Sequence, residues 1–322
     1  MTNRSSSIQA RRIRAKRQLR GFLFGVVALL GATAGRAVAA EPEAIEVGTK
    51  VYLKFDTTIT KEDGRRIEAA EESGSKRVLQ IKGDMLLIGK RVRGWVKHDD
   101  VLTLDDALPY YSQMVEAERM SLDKAPQPGD AAAQREDNEQ VAQSRRRLAW
   151  ALANRGVARQ NAGEFDSAIA DLTELIQMHP RSSHYFFLRA TAYSKGQQID
   201  KAIDDYLKIV ELVPNSPDGY NSLAWMMAVC PDENYRNGKE AESLATTACE
   251  LTNWSSANVI DTLAAACAEA GDFDAALKWQ KKALELRPDD PIFAKTSAER
   301  IELYSAHKPY HKSPDAKSGD SP

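Results

Sequence analysis

The chain has 322 residues, 43% hydrophobic and 28% charged, room for roughly two domains with solvated helix faces. Its formal charge of −2 hides an asymmetry: residues 1–40 hold eight cations (Arg4, Arg11, Arg12, Arg14, Lys16, Arg17, Arg20, Arg36) and no acid, leaving the remainder at −10. A body that acidic repels phosphate backbones, which argues against a nucleic-acid partner.

Residues 1–40 read as an export signal. A basic stretch from Arg11 to Arg20 precedes an apolar run from Gly21 to Ala34, and Ala37-Val38-Ala39 with Ala40 supplies the small residues a signal peptidase accepts. The run is shorter than the ~20 residues a membrane-spanning helix needs. Cleavage is expected, with an uncleaved N-terminal membrane anchor as the alternative, and the location expected is the periplasm or cell envelope. No Cys follows the run to suggest lipoprotein processing, and Arg11-Arg12 lacks the rest of a twin-arginine signal.

Between 45 and 105 the period changes. Short β-forming runs (Val51-Tyr52-Leu53-Lys54-Phe55, Arg77-Val78-Leu79-Gln80-Ile81, Met85-Leu86-Leu87-Ile88, Gly94-Trp95-Val96) are separated by Gly and charge, as at Lys82-Gly83-Asp84. The Gly-Asp turn into an apolar strand and the Gly-Trp-Val ending resemble the bacterial Src-homology-3-like barrel. A groove for proline-rich ligands would have to use Tyr52, Phe55 and Trp95. The resemblance permits a cell-wall ligand, and a spacer that orients the next domain is equally open. Residues 106–140 read as a degenerate helix, with Pro109 acceptable only near its first turn, followed by a linker.

From 141 to 290 a spacing recurs. Ala168, Ala202, Ala241 and Ala276 open similar helical segments, three of which close at Pro180, Pro214 and Pro288. The first two prolines are 34 residues apart and the next interval is 74, one period of 34 and one stretched to 40. A fixed period of this length predicts stacked helical hairpins, none of which buries its apolar face alone. The first unit carries Leu152, Gly156, Ala168, Leu172 and Pro180; the second Phe186, Ala190, Tyr193, Ala202, Tyr206 and Pro214. The third has Tyr220, Leu223 and Ala224, an insertion from Cys230 to Gly238, then Ala241, Ala245 and Ala248; the fourth has Leu263, Ala264, Gly271, Phe273, Ala276, Ala283 and Pro288. These four units resemble the tetratricopeptide repeat family.

The expected fold is therefore mainly α: a tetratricopeptide-type α-α superhelix, a solenoid of helical hairpins, preceded by a small all-β Src-homology-3-like barrel. Residues 291–306 form a capping helix, with Phe293, Ile301 and Tyr304 inward, and 307–322 a disordered tail too polar to pack. The third unit's insertion reads as a surface loop, either a tolerated insertion or a contact loop.

Catalytic constellations are absent from the sequence. There is no phosphate loop, no Gly-x-Ser-x-Gly elbow, no His-Glu-x-x-His and no Cys-x-x-Cys, so neither cofactor nor metal is expected. Cys249 and Cys267 fall on faces the repeat buries, and one disulfide stays open. His307 and His311 are four apart but flank Pro309 in the tail.

The resemblance implies a non-enzymatic scaffold that binds a protein or extended peptide along the concave side lined by the first helix of each unit. One step out of phase with the core stripe, His184, Phe187, Thr191 and Lys195 in the second unit, and Asn221 and Trp225 in the third, are the predicted groove residues. Phe187 and Trp225 are the sharpest of these, as large aromatics are enriched at hot spots. The family's clamp for a terminal carboxylate finds Ala153, Val157, Phe187 and Thr191 at its positions, so chaperone-tail recognition is not implied. The alternative function is an envelope-binding protein whose barrel grips peptidoglycan while its repeats recruit an enzyme.

Overall fold

The computed structural model describes residues 45–61, 63–68, 74–89, 93–124 and 136–313. The export signal, most of the linker and residues 314–322 lie outside them.

The N-terminal strands are β1 (Lys50–Leu53), β2 (Thr58–Thr60), β3 (Arg66–Glu68), β4 (Lys76–Lys82), β5 (Met85–Gly89), β6 (Gly94–Lys97) and β7 (Val101–Leu102). They form one antiparallel sheet in the order β3-β2-β6-β5-β4-β1-β7. β3 and β7 are its edges, and among the described residues no pairing joins them into a closed barrel. Val51, Leu53, Ile59, Val78, Leu86, Ile88, Val96 and Val101 pack together on one side, the period-2 pattern expected of a half-buried sheet.

β1 is buried on both faces. Tyr52 points away from Val51 and Leu53 into helices α1 (Leu104–Asp123) and α2 (Glu136–Ala162), where it packs with Tyr111 and Trp150. Tyr111 Oη donates to the Leu53 carbonyl at 2.8 Å, Asn161 Nδ2 donates to Tyr52 Oη at 2.7 Å, and Phe55 meets Trp150 edge to face at 5.1 Å. Tyr52 and Phe55 are thereby committed to the seam with the helices and cannot line a ligand groove; Trp95 remains half-buried on the sheet. α1 is longer than expected for a degenerate helix, and Pro109 lies inside it, past the first turn.

The remaining helices alternate in hairpins: α3 (Phe165–Met178), α4 (Ser183–Lys195), α5 (Ile199–Leu212), α6 (Pro217–Val229), α7 (Gly238–Leu251), α8 (Ala257–Glu269), α9 (Phe273–Glu285) and α10 (Pro291–Ser305). The four units are α2–α3, α4–α5, α6–α7 and α8–α9, and α10 covers the last. Ala168, Ala202, Ala241 and Ala276 are fully buried, as are Ala190, Ala224 and Ala264 on the first helices, because close helix crossings leave room for little more than a methyl group. At Gly156 even a methyl would sit 3.0 Å from Leu172. Several starts are capped by side chains: Ser216 Oγ accepts from Asp218 N, Asn237 Oδ1 from Glu240 N, Asp272 Oδ1 from Ala275 N, and Asp290 Oδ1 from Ile292 N and Phe293 N.

The third unit's insertion is tied down. Arg236 donates to the carbonyls of Cys230 and Pro231 at 2.8 and 3.1 Å and to Glu269 at 3.0 Å, while Tyr235 Oη reaches Asp200 at 3.2 Å. Gly238 serves space here more than conformation. A Cβ on it would lie 2.3 Å from the Ala270 nitrogen, so only glycine lets α7 start against the end of α8.

The tail expectation fails for residues 307–313. His307 stacks on Phe273 at 5.2 Å, Tyr310 packs beside Trp225, His311 Nε2 lies 2.6 Å from Glu269 Oε2, and Lys312 N donates to the Val229 carbonyl at 2.9 Å. Ring contacts, the His311–Glu269 hydrogen bond and three main-chain bonds, from the N–H groups of His307, Lys308 and Lys312, hold the segment in place. Among the described residues no helix is long and apolar enough to cross a membrane.

Candidate peptide-binding face

The first helices of the units, with α10 after them, form the face in question. On α4 the spacing 184, 187, 191, 195 draws one stripe, and on α6 the pair 221, 225 draws the next. His184, Phe187, Thr191, Lys195 and Asn221 are half-buried, and Trp225 is buried.

Phe187 does not stand free. Its ring centroid is 6.2 Å from that of Tyr206 on α5, and Thr191 Oγ1 donates back to the Phe187 carbonyl at 2.9 Å. Burial pushes the Tyr206 phenol up to about 12, partly offset by its hydrogen bond to Thr191, so it stays neutral and capable of donating. His184 lies beside Tyr185, ring centroids 5.7 Å apart. On α6, Asn221 Oδ1 and Trp225 Nε1 are buried and have no hydrogen-bond partner among the described residues. Unpaired polar atoms one turn apart on one helix are what an incoming main chain could satisfy.

Trp225 is covered by the chain itself. The Arg300 guanidinium carbon sits 5.0 Å from its ring and 4.9 Å from that of Tyr310, and the Lys312 ammonium is 5.6 Å from Trp225. Arg300 is held in turn by the buried Asp261, with Nη1 2.6 Å from both carboxylate oxygens, and Gln280 Nε2 adds a bond to Asp261 at 2.7 Å. Arg300 Nε and Tyr304 Oη nearby are buried and have no hydrogen-bond partner among the described residues. The groove residues therefore divide: the α4 stripe and Asn221 lie along the face, while Trp225 forms a seat with α10 already filled by residues 310–312.

The first two units share a feature that the spacing of small, aromatic and proline residues does not reveal. Arg155 on α2 binds Asp171 on α3 through two bonds of 3.0 and 2.7 Å, and Arg189 on α4 binds Asp205 on α5 through two of 2.8 Å. Both pairs span 16 residues, and the two repeat at 34, so the period that marks the units would also have found these pairs. They tie the two helices of each hairpin together. All three cysteines are free and buried, so no disulfide braces the hairpins. Among the described residues no group of three or more His, Cys, Asp or Glu is placed to hold a metal.

A tetratricopeptide repeat family model matches residues 111–303, more than half of the chain, reaching back into α1 and forward through most of α10. Similar solved structures include MamA (16% identity, 61% of this chain and 91% of that chain, TM-score 0.40). Another is TTC0263, a tetratricopeptide repeat protein of Thermus thermophilus (18%, 60% and 91%, TM-score 0.40). A third comes from Parabacteroides merdae (16%, 61% and 74%, TM-score 0.43).

Proposed function

This chain belongs to the tetratricopeptide repeat family, and from that premise we propose that it is an exported, non-enzymatic scaffold holding a protein or extended peptide along the face of its first helices. The observation that carries the reading is on α6: Asn221 Oδ1 is buried with no hydrogen-bond partner among the described residues, and one turn on Trp225 Nε1 is in the same state beneath residues 310–312. Buried polar atoms without partners cost about 1–3 kcal/mol each, and a peptide main chain offers the donor and the acceptor they lack. The α4 stripe of His184, Phe187, Thr191 and Lys195 continues the same face one unit earlier.

An array of extended peptides probed with the full chain tests this. Phe187→Ala and Asn221→Ala should each weaken capture of the peptides that bind by about tenfold, one ring or one hydrogen-bonding side chain being worth that much at a hot spot. Helicity by circular dichroism should be unchanged. If no peptide shows sensitivity to either substitution, the face is not a peptide site. Export is checked by fusing residues 1–60 to a reporter that folds only in an oxidising compartment; an inactive reporter would remove that part of the proposal.

A further inference from the structure

Residues 310–312 cross from α10 to α6 and meet the face as a short extended peptide. Tyr310 lays its ring against a guanidinium that cannot turn away, because Asp261 holds Arg300 from behind. His311 reaches Glu269 at the end of α8, whose other oxygen is held by Arg236 of the third unit's insertion. Lys312 gives its backbone N–H to Val229, the last residue of α6, whose carbonyl has no helical partner, and its ammonium lies toward Trp225. Each contact reads a different chemical group in a fixed order along the segment.

We propose that Tyr310–Lys312 is a displaceable occupant of this seat, and that the seat takes external extended peptides presenting the same order: an aromatic ring, then an imidazole or other N–H donor, then a lysine. The inference rests on the peptide-holding reading above and names its ligand class. His311 is exposed and Tyr310 and Lys312 are only half-buried, so the segment lies at the surface and can leave. Tethered close by, it competes at an effective concentration of millimolar order, and an external peptide sees only the fraction of molecules with the seat open.

The probe is a fluorescein-labelled hexapeptide of residues 308–313, Lys-Pro-Tyr-His-Lys-Ser, titrated by anisotropy into the full chain. The Tyr310→Ala/His311→Ala double variant, which empties the seat, should bind it about tenfold more tightly than the unaltered chain. Adding Glu269→Gln should take back most of that gain, and a probe with Ala for Tyr should not bind. Equal affinity for both chains, or no binding to either, overturns the proposal. Hydrogen exchange checks it without any substitution: the Lys312 amide should be protected in the unaltered chain, and exchange at the rate of a free peptide overturns it. If the hexapeptide fails while the array still yields Phe187- and Asn221-sensitive binders, the ligand class falls and the scaffold reading stands; if the array is silent too, both fall.

Discussion

Asp171 and Asp205 are nearly inaccessible to water; Arg189 holds Asp205 through two hydrogen bonds, and Arg155 holds Asp171 through two with a third from Arg159. Removing one partner of such a pair strands the other charge and costs about 3–5 kcal/mol, whereas an apolar pair of similar volume is often neutral. The chain contains that exchange already: the corresponding positions of the third unit are Leu223, buried in the core, and Leu244, half-buried against it. Asp205→Ala should therefore lose about 3 kcal/mol in urea denaturation, and Arg189→Leu/Asp205→Leu should recover most of it; a double variant as weak as the single would show the ion pair to be irreplaceable. The thiols make a second point at this scale. Burial first, then neighbouring carboxylates, push Cys249 and Cys267 up to about 12 from an ordinary 9. Between those values the unfolded chain has released protons that the folded chain keeps, so stability falls as pH rises. The melting temperature should be insensitive to these thiols below pH 9 and decline toward pH 12, less steeply in Cys249→Ala/Cys267→Ala. Ellman's reagent should leave both thiols unmodified at about pH 8 until the chain unfolds.

At the scale of elements, the seam between β1 and the first two helices decides whether the sheet is a separate module. Tyr52, Phe55, Tyr110, Tyr111 and Trp150 share it, with edge-to-face contacts throughout. Trp150→Ala should cost about 3–5 kcal/mol and expose the amides of β4 and β5 to hydrogen exchange together with those of α1 and α2; protected strand amides in that variant would mean that the sheet folds alone. β1, β4, β5 and β6 were legible in the sequence through their short β-forming runs, and the helices through their alanines and prolines; β2 and β3, three polar-flanked residues each, were not. The seam was not, because Tyr52 and Trp150 are far apart in the chain and an aromatic in a strand carries no mark of which side it serves. Gly238 teaches the same lesson. Its role as a breaker could be read from the chain, but the backbone of Glu269 and Ala270 that forbids a side chain there could not. Gly238→Ala should cost about 1–3 kcal/mol, measurable as a lower urea midpoint.

For the whole molecule, the repeat period was open to inspection from sequence because stacking units reuse one pattern of small residues. The filling of the Trp225 seat was hidden, since it depends on Arg300, Glu269 and Val229 being assembled first, and a polar tail looks like solvent-borne chain until they are. Trp254 shows the cost of departing from the pattern: where other units place a proline, Asn253 and Trp254 adopt left-handed backbone with φ of 48° and 57°, and Trp254 stacks on Trp279 at 4.9 Å. The position of the C-terminal segment has a practical side for anyone fishing for binders. An affinity handle or fluorescent protein inserted directly after Ser313 would pull on the segment resting against α6. Bait carrying its handle there would report a loosened seat and a different catch from bait immobilised through an exposed surface lysine.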